Sequence, residues 1–370
     1  MKVMRTRNII LACIMLCSGV CAVLPGYAQQ QKSKDQIVFD KIYNAYNRIP
    51  GGLNKDELVQ KVNEVEREVK LCMDSLSGKE ARQKAELLCY NGVLWSMGRL
   101  AIETKDEALK NEIAQRVKGL DLDSPSLELL ADVERTNLLN GYFQLFMPDL
   151  SALNRATYVL YNIKSEEVRN PYVLSTLVTE LKQRGYTDEV NALMEDIELC
   201  SKTEATRRQA IELKERYYPV RAGAMAPDFE MEDENGKMVK LSDFRGKAVF
   251  IDVWATWCGG CVAGLPAFIA LKEQYKDQKD VVFLTISDDG IEAKARWKNF
   301  LKEKKYSGIV PHLIINKEKD QFTENYCITG IPRYILIDKR GKIVNAWHFG
   351  ANHEFFPFFF SMELEGMNRE

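Results

Sequence analysis

Cys258 and Cys261 stand with two residues between them in Trp254-Ala255-Thr256-Trp257-Cys258-Gly259-Gly260-Cys261. Two thiols at that spacing can bond to each other, supply half of a zinc site, or belong to a peroxide-reducing centre. A structural zinc ion needs four ligands. The chain has no second Cys-x-x-Cys, and of His312, His348 and His353 only the last two have ligand-like spacing. Those two sit in or beside an aromatic-rich C-terminal stretch and read as surface or packing residues. A peroxidase centre calls for a threonine three residues ahead of its cysteine; Thr256 is two ahead. Dithiol–disulfide exchange is the chemistry that fits.

The surroundings of the pair give that chemistry a physical basis. An apolar strand is expected over 247–254 and a helix from Cys258 to about residue 276. A cysteine at a helix start faces unpaired N–H groups and the positive end of the helix dipole, which favour its thiolate. Cys258 is therefore the expected nucleophile. Cys261 is one turn on, close enough to close a disulfide. Asp252 is an acid inside the apolar strand, six residues before Cys258. Burial would raise its pKa, which suits a proton carrier for Cys261. Pro266, five residues after Cys261, would kink the helix. Gly330-Ile331-Pro332 leads into another strand. A proline there is expected in the cis form, with Ile331 and Pro332 offering backbone to a substrate and Trp257 covering one side of the site.

The elements around this centre form an α/β layer pattern. Strands at 229–232 and 237–241 flank the turn Asp233-Glu234-Asn235-Gly236. After the cysteine helix come a strand at 281–287 and a helix at 291–305. A hairpin follows at 333–338 and 342–347, and a final helix from residue 352 is crowded with Phe355, Phe356, Phe358, Phe359 and Phe360. Cys327 is expected to be buried and unpaired.

Residues from about 35 to 217 have a different texture and read as helix almost throughout, with no clean fixed-period repeat. Asn54-Lys55-Asp56-Glu57 has the form of a capping box. The apolar steps Leu58, Val62, Val65, Val69, Cys72 and Leu76 put one stripe on one helix face. Ser124-Pro125 reads as a cap with proline at the first helical position, continued by Leu127, Leu130, Val133 and Leu138. Later helices are expected at 166–184, 188–199 and 204–217. If the helices of Cys72 and Cys89 turn near Ser77-Gly78, the two cysteines lie roughly 9 Å apart along the axis. That exceeds the reach of a disulfide, so both are expected as free thiols, with Cys200 a packing residue. Pro219 to Pro227 forms the boundary. The organisation read from the chain is a signal peptide at 1–28, an all-α domain of unassigned role at 29–220 and an α/β domain at 221–370.

Lys2, Arg5 and Arg7 precede an apolar run from Ile9 to Val23, with Pro25-Gly26-Tyr27-Ala28 after it. This is the form of a secretory signal peptide cleaved after Ala28; an uncleaved membrane anchor is the alternative, although the run is short for a span. Cleavage leaves 48 basic against 53 acidic residues, a net charge of −5, and six of the nine cysteines. Outside the cytoplasm such thiols tend to oxidise. The charge balance gives no reason to expect a nucleic-acid partner.

The segment from Ala222 to Glu365 resembles the thioredoxin superfamily, and within it the exported TlpA/ResA-like thiol–disulfide oxidoreductases. The resemblance rests on Ala226-Pro227-Asp228-Phe229, Leu241-Ser242-Asp243-Phe244-Arg245-Gly246-Lys247, the Trp254–Cys258 segment, Gly330-Ile331-Pro332 and Leu336-Ile337-Asp338. It implies a thioredoxin-like fold for this domain, a disulfide-bearing protein as substrate and a membrane thiol carrier as electron donor. With the signal peptide it implies the periplasm of a Gram-negative bacterium. No organic cofactor or metal is required. Two departures stand out. Gly260 occupies the place where the family usually has proline, which bears on the direction of electron flow. Gly264 stands where the family often has a glutamate, leaving Asp252 as the expected carboxylate. The expected activity is reduction of protein disulfides. An oxidase or isomerase, or a partner-binding protein on a thioredoxin-like scaffold, are the alternatives.

Overall fold

A computed structural model describes residues 32–367. The expected signal segment lies outside the described residues, and none of the described helices is long and apolar enough to cross a membrane.

The first half is helical. Its α-helices are α1 (Lys34–Asn47), α2 (Lys55–Met73), α3 (Lys79–Thr104), α4 (Glu107–Arg116), α5 (Asp132–Phe146), α6 (Ala152–Asn162), α7 (Glu166–Arg184), α8 (Asp188–Cys200) and α9 (Glu204–Tyr217). The capping box opens α2: the Asn54 side chain accepts from the Glu57 N–H, and the Glu57 carboxylate accepts from the Asn54 N–H, each at 3.0 Å. Leu58, Val62, Val65, Val69 and Leu76 are buried. Cys72, Cys89 and Cys200 are free thiols. Burial pushes the Cys89 thiol up to about 12. One expectation is corrected. Ser124-Pro125 opens only a short 3₁₀ turn, Pro125–Leu129, and Leu130 is extended. A new helix, α5, then begins, with the Glu134 carboxylate accepting from the Ala131 N–H. Val133 consequently points outward, 66% exposed.

The second half is a seven-stranded sheet in the order β2-β1-β5-β4-β3-β6-β7. Its strands are β1 (Glu230–Asp233), β2 (Met238–Lys240), β3 (Ala248–Trp254), β4 (Val281–Ser287), β5 (His312–Ile314), β6 (Arg333–Ile337) and β7 (Ile343–His348). β3, β4 and β5 run parallel, and β6 pairs antiparallel with β3. The helices are α10 (Gly259–Gln274), α11 (Lys294–Glu303), α12 (Phe322–Asn325) and α13 (Phe356–Met367). All of β3 is buried, as a strand covered on both faces must be. On one face Phe250 packs against Phe268 of α10 and against Phe356 and Phe360 of α13. Phe355 and Phe358 are exposed.

The other face of β3, carrying Val249, Ile251 and Val253, belongs to the same contiguous core as the helical half. Trp347 of β7 is a main fastening point. Its indole N–H donates to the Lys182 carbonyl at 3.1 Å, and its ring stacks with Tyr217 at 6.0 Å. The Arg333 guanidinium lies 3.8 Å from the Trp347 ring centroid. Gly185 has φ +76° and lies so close that a Cβ would meet the indole at 2.2 Å. Cys327 is buried and unpaired, its thiol donating to the Arg216 carbonyl at 3.3 Å.

Candidate active site

Strand β3 ends at Trp254, and the chain crosses one short loop before α10. Cys258 is the N-cap of α10, in extended conformation, and its Sγ accepts from the Cys261 N–H at 3.2 Å. The two cysteines are joined in a disulfide with Cα atoms 5.3 Å apart. Their exposure differs. Cys258 is partly accessible, whereas Cys261 is fully buried among Trp254, Leu265, Trp297 and Leu301. An incoming sulfur can therefore reach Cys258 but not Cys261.

Beyond the pair lies the Ile331–Pro332 peptide, which is cis. The Ile331 carbonyl oxygen is 3.8 Å from Cys258 Sγ. Pro332 is exposed and Ile331 half-buried, so the loop presents backbone to solvent next to the reactive sulfur. Trp257 is 62% exposed at the edge of the site. Pro266 lies inside α10.

Asp252 is completely buried, and neither carboxylate oxygen has a hydrogen-bond partner among the described residues. Burial raises its pKa well above the ordinary carboxylate value, because an ionised carboxylate would lose its water there without compensation. Its direct cross-strand neighbours are Thr285 on β4 and Tyr334 on β6. Such neighbours share a face. Burial, and next the charge of Asp252, raise the Tyr334 pKa. A Cβ on Gly264 would come within 3.0 Å of the Tyr334 hydroxyl. The space beside Gly264 is thus taken by a phenol reaching across from β6.

Two features escape sequence reasoning. Asp289, in the loop after β4, accepts from the Thr256 N–H at 2.8 Å, the Thr256 hydroxyl at 2.5 Å, the Ser287 hydroxyl at 2.7 Å and Arg296 at 2.9 Å. Burial opposes its ionisation, but these donors outweigh burial and hold it below the ordinary range. Asp289 thereby fixes the loop that delivers Cys258. The sequence signal, Ser287-Asp288-Asp289-Gly290, reads as an ordinary turn. Tyr334 is the other, hidden within an apolar strand pattern. No cluster of His, Cys, Asp or Glu suited to a metal occurs among the described residues.

Residues 221–348 match the Redoxin family. The chain is 33% identical over 146 residues to the thiol-disulfide oxidoreductase ResA of Bacillus thuringiensis, which covers 40% of this chain and 79% of that protein. It is 32% identical over 124 residues to ResA of Bacillus subtilis, covering 34% of this chain and 65% of the relative, slightly under two thirds of its length. The crystal structure of the thioredoxin domain of a Bacteroides vulgatus thiol-disulfide oxidoreductase is 29% identical, covers 38% of this chain and 97% of that one, and has a TM-score of 0.34.

Proposed function

This chain belongs to the ResA-like thiol–disulfide oxidoreductases, and from that premise we propose that it is an exported reductase of protein disulfides working through the Cys258–Cys261 dithiol. The observation that carries the reading is the contrast within the pair: an accessible Cys258 at the N-terminus of α10 and a sealed Cys261 one turn behind it.

In the reduced protein the Cys258 thiolate attacks one sulfur of a substrate disulfide. That S–S bond breaks, a mixed disulfide forms on Cys258, and the first substrate thiolate leaves and takes up a proton. Asp252, in its ionised form, takes the Cys261 proton, directly or through one water, and the Cys261 thiolate attacks Cys258 Sγ. The second substrate thiol departs, and the pair is left oxidised by two electrons. A second thiol donor, in this reading a membrane thiol carrier, restores the dithiol. The Ile331 carbonyl and the cis-proline loop hold the substrate's extended backbone, and Trp257 shields one side. The basic and apolar start of the chain supports export to the periplasm.

The test is insulin reduction by the mature protein with dithiothreitol as electron source. The reading expects turnover that vanishes in Cys258→Ala; full activity in that variant overturns the site assignment. The direction is read from the equilibrium potential of the pair, expected below the glutathione couple at about −240 mV; a value near that of a strong oxidant, about −120 mV, overturns the reductive direction.

A further inference from the structure

The Redoxin match begins at residue 221 and leaves the helical half without a role. The structure brings one end of that half to the redox centre. The last turn of α7 is pinned to the sheet by the Trp347 indole bond to the Lys182 carbonyl and by the close seat of Gly185 against the same ring. Strand β6, which carries the other contact to Trp347 through Arg333, starts immediately after Pro332. The end of α7 is therefore held at a fixed offset from the cis-proline loop.

Between them lies a cavity of about 370 Å³. Lys182 and Gln183 of α7 line one side; Thr329, Gly330, Ile331 and Pro332 line the other. Its wall reaches close to the sulfur through Ile331, whose carbonyl is 3.8 Å from Cys258 Sγ. A polypeptide held on Cys258 as a mixed disulfide and running past Ile331 would enter this space. The lining includes two cationic side chains, Lys182 and Arg333, and no carboxylate. Burial pushes the Arg333 guanidinium down to about 10, which leaves it charged at neutral pH. The Lys182 side chain is exposed and forms no ion pair among the described residues.

We propose that the helical half supplies the second wall of the substrate cleft, and that Lys182 and Gln183 select disulfides flanked by acidic residues. The inference rests on the reductase reading above. The wall is a contribution of this chain's own helical half, since the family match contains no part of α7.

The experiment uses the full chain and two disulfide-bonded peptides that differ only in carrying Glu or Lys beside the cysteine, with hydroxyethyl disulfide as a small uncharged substrate. The quantity read is the ratio of kcat/KM for the acidic over the basic peptide, taken within each protein. The wild type is expected to favour the acidic peptide by about fivefold at low salt, the scale of one well-placed exposed ion pair, with the preference fading as salt is raised. Lys182→Ala should bring the ratio close to one, and Lys182→Glu should invert it. A ratio that is the same in the wild type and both variants, while hydroxyethyl disulfide is reduced, overturns the role of α7. Failure of the wild type to reduce either peptide or insulin overturns the underlying reductase reading instead.

Discussion

Replacing Asp252 by Asn keeps the shape of the side chain and removes its proton chemistry. The wild-type carboxyl is sealed between Thr285 and Tyr334 with no hydrogen-bond partner among the described residues, and burial raises its pKa. In the unfolded chain the carboxyl regains its ordinary value, about 3.9. Above that pH the unfolded chain has released a proton that the folded protein still holds. Folding stability therefore falls as pH rises, by about 1.4 kcal/mol per pH unit, until the folded carboxyl itself ionises. The contribution is whole below the unfolded value and is lost as pH climbs toward the folded one. Asp252→Asn has no such slope. Both side chains are neutral in acid and share the cost of unmet hydrogen bonding, so the two stabilities should nearly coincide near pH 4 and diverge above it, the variant becoming the more stable. Urea unfolding of the oxidised proteins at several pH values reads this difference; parallel curves would refute the buried-acid account. The kinetic consequence is opposite in sign. Without an acceptor for the Cys261 proton, resolution of the mixed disulfide should slow by about 100-fold near neutral pH, the low end for a general base, and recover partly as pH rises and Cys261 ionises unaided. An Asp252→Asn rate equal to wild type at every pH would leave Asp252 no part in proton transfer.

Gly264→Ala should destabilise the protein more when Tyr334 is present than in a Tyr334→Phe background, because the added Cβ meets the Tyr334 hydroxyl at 3.0 Å. A double-mutant cycle by urea unfolding should give a coupling of about 0.5–1 kcal/mol, and a coupling of zero would contradict the close approach. Asp289→Asn should cost about 2 kcal/mol at neutral pH, since it disturbs donors to a charged acceptor. Its carboxyl is held below the ordinary range, so that stability is present above about pH 3.9 and is lost as pH falls through the folded value; a deficit that fails to close in acid would argue against the charge as its source. For domain organisation, we propose that fragment 221–370 folds alone and reduces insulin. It should unfold at lower urea than the full chain, because it gives up the cover of Tyr217 over Trp347 and the core shared through Val249, Ile251 and Val253. A fragment without a cooperative transition would show that the two halves fold only together.

Much of this architecture is legible in the chain because its signals are local. The Cys-x-x-Cys at a strand–helix junction, the acid inside an apolar strand and the proline at a strand entrance each concern a few adjacent residues, and the structure brings all three to one end of β3. The helices 166–184 and 204–217 are equally readable, since caps and apolar period agree there. Other features depend on tertiary context. β5 is only three residues long, His312–Ile314, too short to show alternation. The apolar spacing from Leu127 to Leu138 mimics one helix, yet the extended Leu130 divides it. Asp289 becomes meaningful only when Thr256 and Arg296 converge on it. The contact of Trp347 with Lys182 joins residues 165 apart in sequence, and no local pattern announces it.

The central claim is that Cys258 attacks the substrate and Cys261 resolves the adduct. The most direct measurement is intact-mass analysis after mixing reduced Cys261→Ser protein with an excess of a disulfide-bonded peptide. The account predicts a stable mixed disulfide mapped to Cys258 and removed by dithiothreitol, and no adduct at Cys261 when Cys258→Ser is treated alike. An adduct that maps to Cys261 in Cys258→Ser, with Cys258 unmodified in Cys261→Ser, would contradict it.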